Sequence, residues 1–181
     1  EKYLETINRQ IKDIENLVNE FSSFARMPSP IFKKIEIDVV LKRAVAFYKM
    51  SSKNEINLTS KNIKKNIRGD EEQLYRVFIN LIKNSEDSIA EMKEKNMDFK
   101  GKINIDIDGN NDYIIISLAD NGIGIKDTTK IMTPYFTTKK DGTGLGLPIV
   151  SKVVNEHKGE LTILNNNPGA VVIIKLPKSS I

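Results

Sequence analysis

The chain has no cysteine, no tryptophan and one histidine among 181 residues. Without cysteine there is no disulfide framework, thiolate metal site or cysteine nucleophile, and the lone His157 rules out paired-histidine metal motifs. Any metal must sit on oxygen ligands, which favours magnesium or calcium. Long apolar runs are missing too. The most compact, Tyr113-Ile114-Ile115-Ile116 and Ala170-Val171-Val172-Ile173-Ile174, are strand-sized and far short of the roughly 18 residues of a membrane span. No dense block of one charge occurs: 28 Lys and Arg are interspersed with 24 Asp and Glu, a formal net charge of +4. That balance suits a phosphate-bearing ligand and argues for no nucleic-acid partner. The size and the 39% apolar content provide one ordinary core plus an appendage. The start shows neither an initiator Met nor the order of a signal peptide, so the chain is expected to be a piece of a longer protein.

From Glu1 to Arg26, Leu4, Ile7, Ile11, Ile14, Val18 and Phe21 fall three or four apart, with Leu17 and Phe24 widening the stripe. This heptad seam predicts a long helix that Met27-Pro28-Ser29-Pro30 stops. Its apolar side chains predict a partner helix from a second copy of the chain, a homodimer through the N-terminal helix; the alternative is packing on its own domain. The domains are therefore expected at 1–30 and 31–181. In the second, a strand is predicted over 34–37 and a helix capped by Asp38 runs to about Met50. A strand over 55–59 follows, then a helix capped by Asp70 that ends near Lys95, with Leu74, Val77, Phe78, Leu81 and Ile82 at core spacing. Lys102 to Asp108 and Tyr113 to Ala119 alternate around Gly109-Asn110-Asn111-Asp112, a hairpin signal. After a glycine-rich loop come a helix from Leu145 to His157 closed by Gly159, and strands over 160–164 and 170–176. The expected class is α+β, a mixed and mostly antiparallel sheet with helices on one face.

Of the ten glycines, Gly122, Gly124, Gly142, Gly144 and Gly146 fall close together. Asp120-Asn121-Gly122-Ile123-Gly124-Ile125 directly follows a strand, so the carboxylate stands at a rigid end while the glycines let the chain turn closely around a ligand; ordinary strand-end turns use the same residues. Gly142-Thr143-Gly144-Leu145-Gly146-Leu147-Pro148 opens a helix whose first N–H groups suit phosphate oxygens. The spacing fits neither a P-loop nor a Rossmann fingerprint. Asn80 and Asn84 are four apart, so both amides share one helix face beside the apolar stripe. They are either hydrogen-bonded within the fold or hard ligands for a phosphate-bound magnesium.

In this order the motifs resemble the ATP-binding domain of sensor histidine kinases. Asn80-Leu81-Ile82-Lys83-Asn84, Asp120 to Ile125, Thr133-Pro134-Tyr135-Phe136-Thr137-Thr138-Lys139 and Gly142 to Leu147 are similar to that family's N, G1, F and G2 boxes. The resemblance runs from about Ile31 to Lys178. Phe21-Ser22-Ser23-Phe24-Ala25-Arg26-Met27-Pro28 resembles the end of the second dimerisation and phosphotransfer helix, and the likeness is strongest to NtrY-like nitrogen-regulation sensors.

The resemblance implies a two-layer α/β sandwich of the GHKL or Bergerat type, with ATP and Mg2+ as cofactors. Asp120 would accept the adenine amino group, with Ile125, Leu145 and Ile82 around the ring. Asn84 would hold magnesium, with Asn80 in support. Lys83 and Lys139 would meet phosphate charge, and the backbone from Gly142 through Thr143, Gly144, Leu145 and Gly146 to Leu147 would cradle the phosphates, with Gly122, Gly124, Phe136 and Thr138 completing the site. Residues 131–143 would form a lid, in which Phe136 is either the aromatic that docks against the phosphotransfer helices or an anchor for the lid. Many of these kinases carry a basic residue where this chain has Asp87, so no phosphate contact is carried over there; Asp87 either orients a metal-bound water or faces solvent.

The resemblance further implies phosphoryl transfer from ATP to a histidine upstream of Glu1 and on to an aspartate in the receiver domain of a response regulator. His157 is read as a helix-end residue complementing the negative terminus, so the chain is expected to bind MgATP without labelling itself. A cytoplasmic location is implied, with a membrane-anchored parent. The competing readings are a GHKL-fold ATPase, an anti-sigma serine kinase and a nucleotide-free coiled-coil module. The ATPases resemble one another in having a glutamate base where this chain has Asn80, and an amide cannot take that proton.

Overall fold

The computed structural model describes residues 2–61, 66–125, 127, 130–137 and 142–178. The described elements run α1 (Lys2–Ala25), β1 (Lys33–Glu36), α2 (Ile37–Lys49), β2 (Glu55–Ser60), β3 (Asn66–Gly69), α3 (Glu71–Lys95), β4 (Lys102–Gly109), β5 (Tyr113–Asp120), α4 (Gly146–Glu156), β6 (Glu160–Asn165) and β7 (Ala170–Pro177). One sheet has the order β2-β4-β5-β7-β6, parallel only between β2 and β4, and β1 pairs antiparallel with β3 separately.

Period-two alternation decides which face of the sheet is covered. Ile103, Ile105 and Ile107 of β4 and Ile114, Ile116 and Leu118 of β5 are buried, and the register sets Ile107 against Ile116, Ile105 against Leu118 and Ile103 against Asp120. Asp120 is thus the polar last member of an apolar row. Helices α2, α3 and α4 pack on this face. The middle one, α3, seals Leu74, Val77, Phe78, Leu81, Ile82 and Ile89 at no more than 2% exposure. Its start is fixed by Asp70, whose Oδ1 accepts from the N–H groups of Glu72 and Gln73 at 3.1 Å each.

The mixed, mostly antiparallel sheet under helices agrees with the expected architecture. Four local expectations are corrected. Asp38 does not cap α2: the helix begins at Ile37, which is fully buried, and Asp38 lies in the first turn, ion-paired with Lys42 at 2.9 Å. The short β3 was not anticipated. At the end of α4 the left-handed residue is Lys158, with φ 56°, and Gly159 is instead needed for close approach: a Cβ there would meet the Lys175 carbonyl oxygen at 2.8 Å. His157 does not act as a charge at a helix end. It is 4% exposed, its Nε2 accepts the Asp70 N–H at 2.9 Å, and its Nδ1–H donates to the Val153 carbonyl at 2.8 Å, which fixes an uncharged tautomer bridging α4 to the start of α3.

Helix α1 leaves its seam from Leu4 to Val18 off the domain. Leu4, Ile7, Ile11, Ile14 and Val18 are 51–66% exposed. The side chains of Leu17 and Phe24 lie outside the described residues. The chain after α1 is anchored by Gln73, which donates to the Pro28 carbonyl at 2.9 Å, and by the Ile31 N–H, which donates to Asp70 at 2.8 Å.

Candidate functional site

A cavity of about 210 Å3 lies between α3, the end of β5 and the loop entering α4. Each wall follows from its element. The four-residue spacing puts Asn80 and Asn84 on one face of α3, with Lys83 and Asp87 beside them on the same rim. From the turn after β5 come Ile123, Gly124 and Ile125; from the lid, Ile131, Phe136 and Thr137; from the loop and first turn of α4, Gly142, Thr143, Gly144, Gly146 and Leu147. Ile163 and Val172 form an apolar floor. The cavity therefore has one polar side of amides and backbone and one largely apolar side, as a flat, partly apolar ligand with a charged tail requires.

Asp120 closes the apolar end. It is 8% exposed; its Oδ1 accepts from the Gly122 N–H at 2.9 Å and from Ser88 Oγ at 3.3 Å, and its Oδ2 accepts from Ser85 Oγ at 3.2 Å. Burial raises its pKa above the usual carboxylate range, while hydrogen bonds from Gly122, Ser85, Ser88 and the Ala170 N–H oppose the rise. The turn beyond it is held by Asn165, which accepts from the Ile125 N–H and donates to the Ile125 carbonyl, both at 2.7 Å.

At the opposite end Gly144 has φ 70°, and a Cβ there would strike the Tyr135 carbonyl carbon at 2.6 Å, so only glycine lets this loop lie against the lid. The lid backbone is tied to it by the Tyr135 N–H, donating to the Gly144 carbonyl at 3.2 Å. A Cβ on Gly146 would sit in ordinary contact with both amides, 3.9 Å from Asn84 Nδ2 and 4.0 Å from Asn80 Oδ1, so the helix start faces them directly. Asn80 Nδ2 is buried with no hydrogen-bond partner, a polar atom that folding alone leaves unmet.

Most of the anticipated site converges here: Asn80, Lys83, Asn84, Asp120, Gly124, Ile125, Phe136, Gly142, Thr143, Gly144, Gly146 and Leu147 all line the cavity. Leu145 and Ile82 do not. Both are fully buried in the hydrophobic core, Leu145 as the apolar anchor that seats α4, whereas Ile125 does line the cavity, together with Ile123 and Ile131. Gly122 acts from behind, through its bond to Asp120 and its packing against Ser88. Phe136 faces the cavity, and its neighbour Tyr135, at φ 67°, turns the other way to stack on Phe21 of α1 with ring centroids 6.3 Å apart. Thr138 and Lys139 lie outside the described residues. Sequence reasoning missed Ser85, Ser88 and Asn165; the three-residue spacing of the serines beside Asn84 was the available signal.

The model of the family described as histidine kinase-, DNA gyrase B- and HSP90-like ATPase matches residues 69–180. The chain belongs to this family. It is 36% identical over 179 residues to the NtrY-like sensor histidine kinase of Rickettsia prowazekii, covering 97% of this chain and 29% of that protein's length. Among solved structures, the nucleotide-free catalytic domain of the histidine kinase ThkA is similar at a TM-score of 0.71 with 25% identity, over 82% of this chain and 96% of that one. A ThkA chain crystallised with the response regulator TrrA matches 99% of this chain and 51% of its own at a TM-score of 0.76 and 21% identity, so the likeness in fold extends through α1. The fold is thus the GHKL type, and the domain is similar to the ATP-binding catalytic domains of sensor histidine kinases. The chain spans under a third of the Rickettsia relative's length.

Proposed function

We propose that the chain holds MgATP for a two-component sensor histidine kinase and presents the γ-phosphoryl group to a histidine elsewhere in the full protein, for relay to an aspartate in a response regulator's receiver domain. The observation that carries this reading is Asp120, a carboxylate buried at the apolar end of a cavity whose other end is built of amides and a glycine-lined helix start. A buried acceptor selects a donor such as the adenine amino group, because a keto oxygen in its place would face the carboxylate's lone pairs. Ile123, Ile125 and Ile131 would then flank the ring, and Gly142 to Leu147 would meet the phosphates with N–H groups that α4 leaves unpaired. Lys83 would offset phosphate charge, as would Lys139 by the family resemblance.

The residues also fit magnesium. The amide oxygens of Asn84 and Asn80 are hard ligands for the ion, and the unmet Asn80 nitrogen, a donor, would meet a phosphate oxygen beside it. When bound, the ion would neutralise charge that develops on the phosphates. Asn80 cannot activate water as a carboxylate base does, which disfavours the ATPase reading. The acceptor cannot be His157, since both ring nitrogens are engaged inside the fold.

Helix α1 would be the second helix of the dimerisation and phosphotransfer hairpin, residues 1–30, ahead of the catalytic domain at 31–181, and its open seam would pair two copies. No described helix is long and apolar enough to cross a membrane. The parent protein would be membrane-anchored, with this part on the cytoplasmic side where ATP is supplied.

The test is a MgATP titration of the native chain, Asp120→Ala and Asn84→Ala, followed by incubation with a kinase-dead version of the longer protein that carries the histidine helix. Binding lost in both variants, with acid-labile label on the partner, supports the reading. Equal, negligible binding in all three proteins sinks it.

A further inference from the structure

Two serines sit where a helix gains little from them. Ser85 is 3% exposed and Ser88 lies one turn on along the same face of α3. Serine in a helix interior lowers helix propensity, and its buried hydroxyl must be met. Both hydroxyls meet the same carboxylate, Ser85 on Oδ2 of Asp120 and Ser88 on Oδ1. At 3.2 and 3.3 Å the two bonds are long and therefore weak for hydroxyl donors, so the carboxylate's lone pairs can be shared with a stronger donor arriving from the cavity, which both serines and Asp120 line.

We infer that Ser85 and Ser88 are positioning residues that aim the Asp120 carboxylate at an exocyclic amino group and so set the base preference of the site. The inference rests on the nucleotide reading above and deepens it. Each serine has one proton, and giving it to Asp120 leaves only lone pairs on its oxygen. The end of the cavity thereby becomes a surface of acceptors: the Asp120 carboxylate and two hydroxyl oxygens whose protons point at it. A ligand edge carrying N–H donors is welcomed, and one carrying a carbonyl oxygen meets no donor among these side chains. The serines also hold Asp120 against rotation. Gly122 fixes only Oδ1 through its N–H, and Ser85 is the side chain that holds Oδ2. A nonpolar residue at either place would remove one of the bonds that aim the carboxylate and leave it more of its hold to the Gly122 and Ala170 N–H groups, while it remained buried.

The test separates this role from a contribution to folding by using two ligands. ADP and the diphosphate of purine riboside, which has hydrogen in place of the amino group, are titrated into the native chain, Ser85→Ala, Ser88→Ala and the double variant. The native chain should favour ADP. The double variant should lose about tenfold in ADP affinity, since hydrogen bonds to charged groups are worth that much, while its affinity for the ligand without the amino group should hold. Each single variant should fall between. Unchanged ADP affinity in the double variant overturns the inference, and so does an equal loss for both ligands, which would mean that the serines only support the fold. A native chain that binds neither ligand overturns the nucleotide reading itself, a result distinguishable from the other two.

Discussion

Helices α1 and α3 are nearly the same length, 24 and 25 residues, and both carry an apolar stripe at helical spacing, yet they end in opposite environments. The stripe of α3 is sealed: Leu74, Phe78 and Ile82 are fully buried. That of α1 is open, with Leu4 at 66% and Ile14 at 60% exposure. Periodicity therefore states which face of a helix will be covered and leaves open what covers it. For α3 the cover is the chain's own sheet, and the neighbouring polar face, held rigid by that packing, becomes the wall of a ligand cavity. For α1 the described residues of the chain supply no cover from Leu4 to Val18, and a partner helix is the cover proposed above.

The contrast can be broken most directly by truncating one residue in each stripe. Phe78→Ala should lower unfolding free energy by about 3–5 kcal/mol, whereas Ile11→Ala in a dilute, monomeric sample should lower it by well under about 1 kcal/mol. Similar losses in denaturant melts would mean that α1 is as much a part of the folded core as α3. Next in size is the site that α3 supports. Asp120→Asn should weaken ADP binding by about 1.5–3 kcal/mol, roughly ten- to a hundredfold, in calorimetric titration. Its pH dependence has a definite sign. Burial raises the carboxylate's pKa, so affinity that needs the ionised form is lost as pH falls through a value above the usual range, and the Asn variant should show no such step. The stability effect runs the other way: ionised Asp120 disfavours the fold above its raised pKa, so Asn should be no less stable at neutral pH.

On α1, Val18→Glu places a charge in the seam and should weaken self-association by tenfold or more by sedimentation, because one buried apolar side chain contributes about 1.5–3 kcal/mol. ADP affinity should be untouched. The smallest effect concerns the start of α3. Burial pushes the Asp70 carboxyl up, but the N–H groups of Ile31, Gln73 and Glu72 outweigh it and hold the pKa below the ordinary value. Its stabilisation is present above the unfolded pKa and fades as pH falls through the lowered folded one. Asp70→Ala should cost about 1 kcal/mol at neutral pH, with the difference from native shrinking in acid melts.

The two helices also mark how far the sequence could be read. Helix α3 was legible because a capping aspartate, an acidic first turn and a long stripe agree, and the hairpin of β4 and β5 because its turn residues are distinctive: Asn110 Oδ1 accepts from the N–H groups of Asp112 and Tyr113 at 3.0 and 2.9 Å. The strand β3 was not, because its four residues gain order only by pairing with distant β1, as Lys33 opposite Gly69 shows. Leu145 was placed beside the ring by the family resemblance, whereas an apolar side chain at a helix start goes to the core. Tyr135 and Phe136 are indistinguishable as adjacent aromatics, and it is the left-handed φ at Tyr135 that sends one toward α1 and the other into the cavity. The serines under Asp120 are ordinary residues until the fold brings β5 beside α3.

The most direct test of this division is amide hydrogen exchange of the chain with and without Mg-ADP. The account predicts slower exchange over 80–88, 120–125 and 142–147, with the seam of α1 from Leu4 to Val18 unchanged. No protection at those three segments, or protection confined to α1, would contradict it.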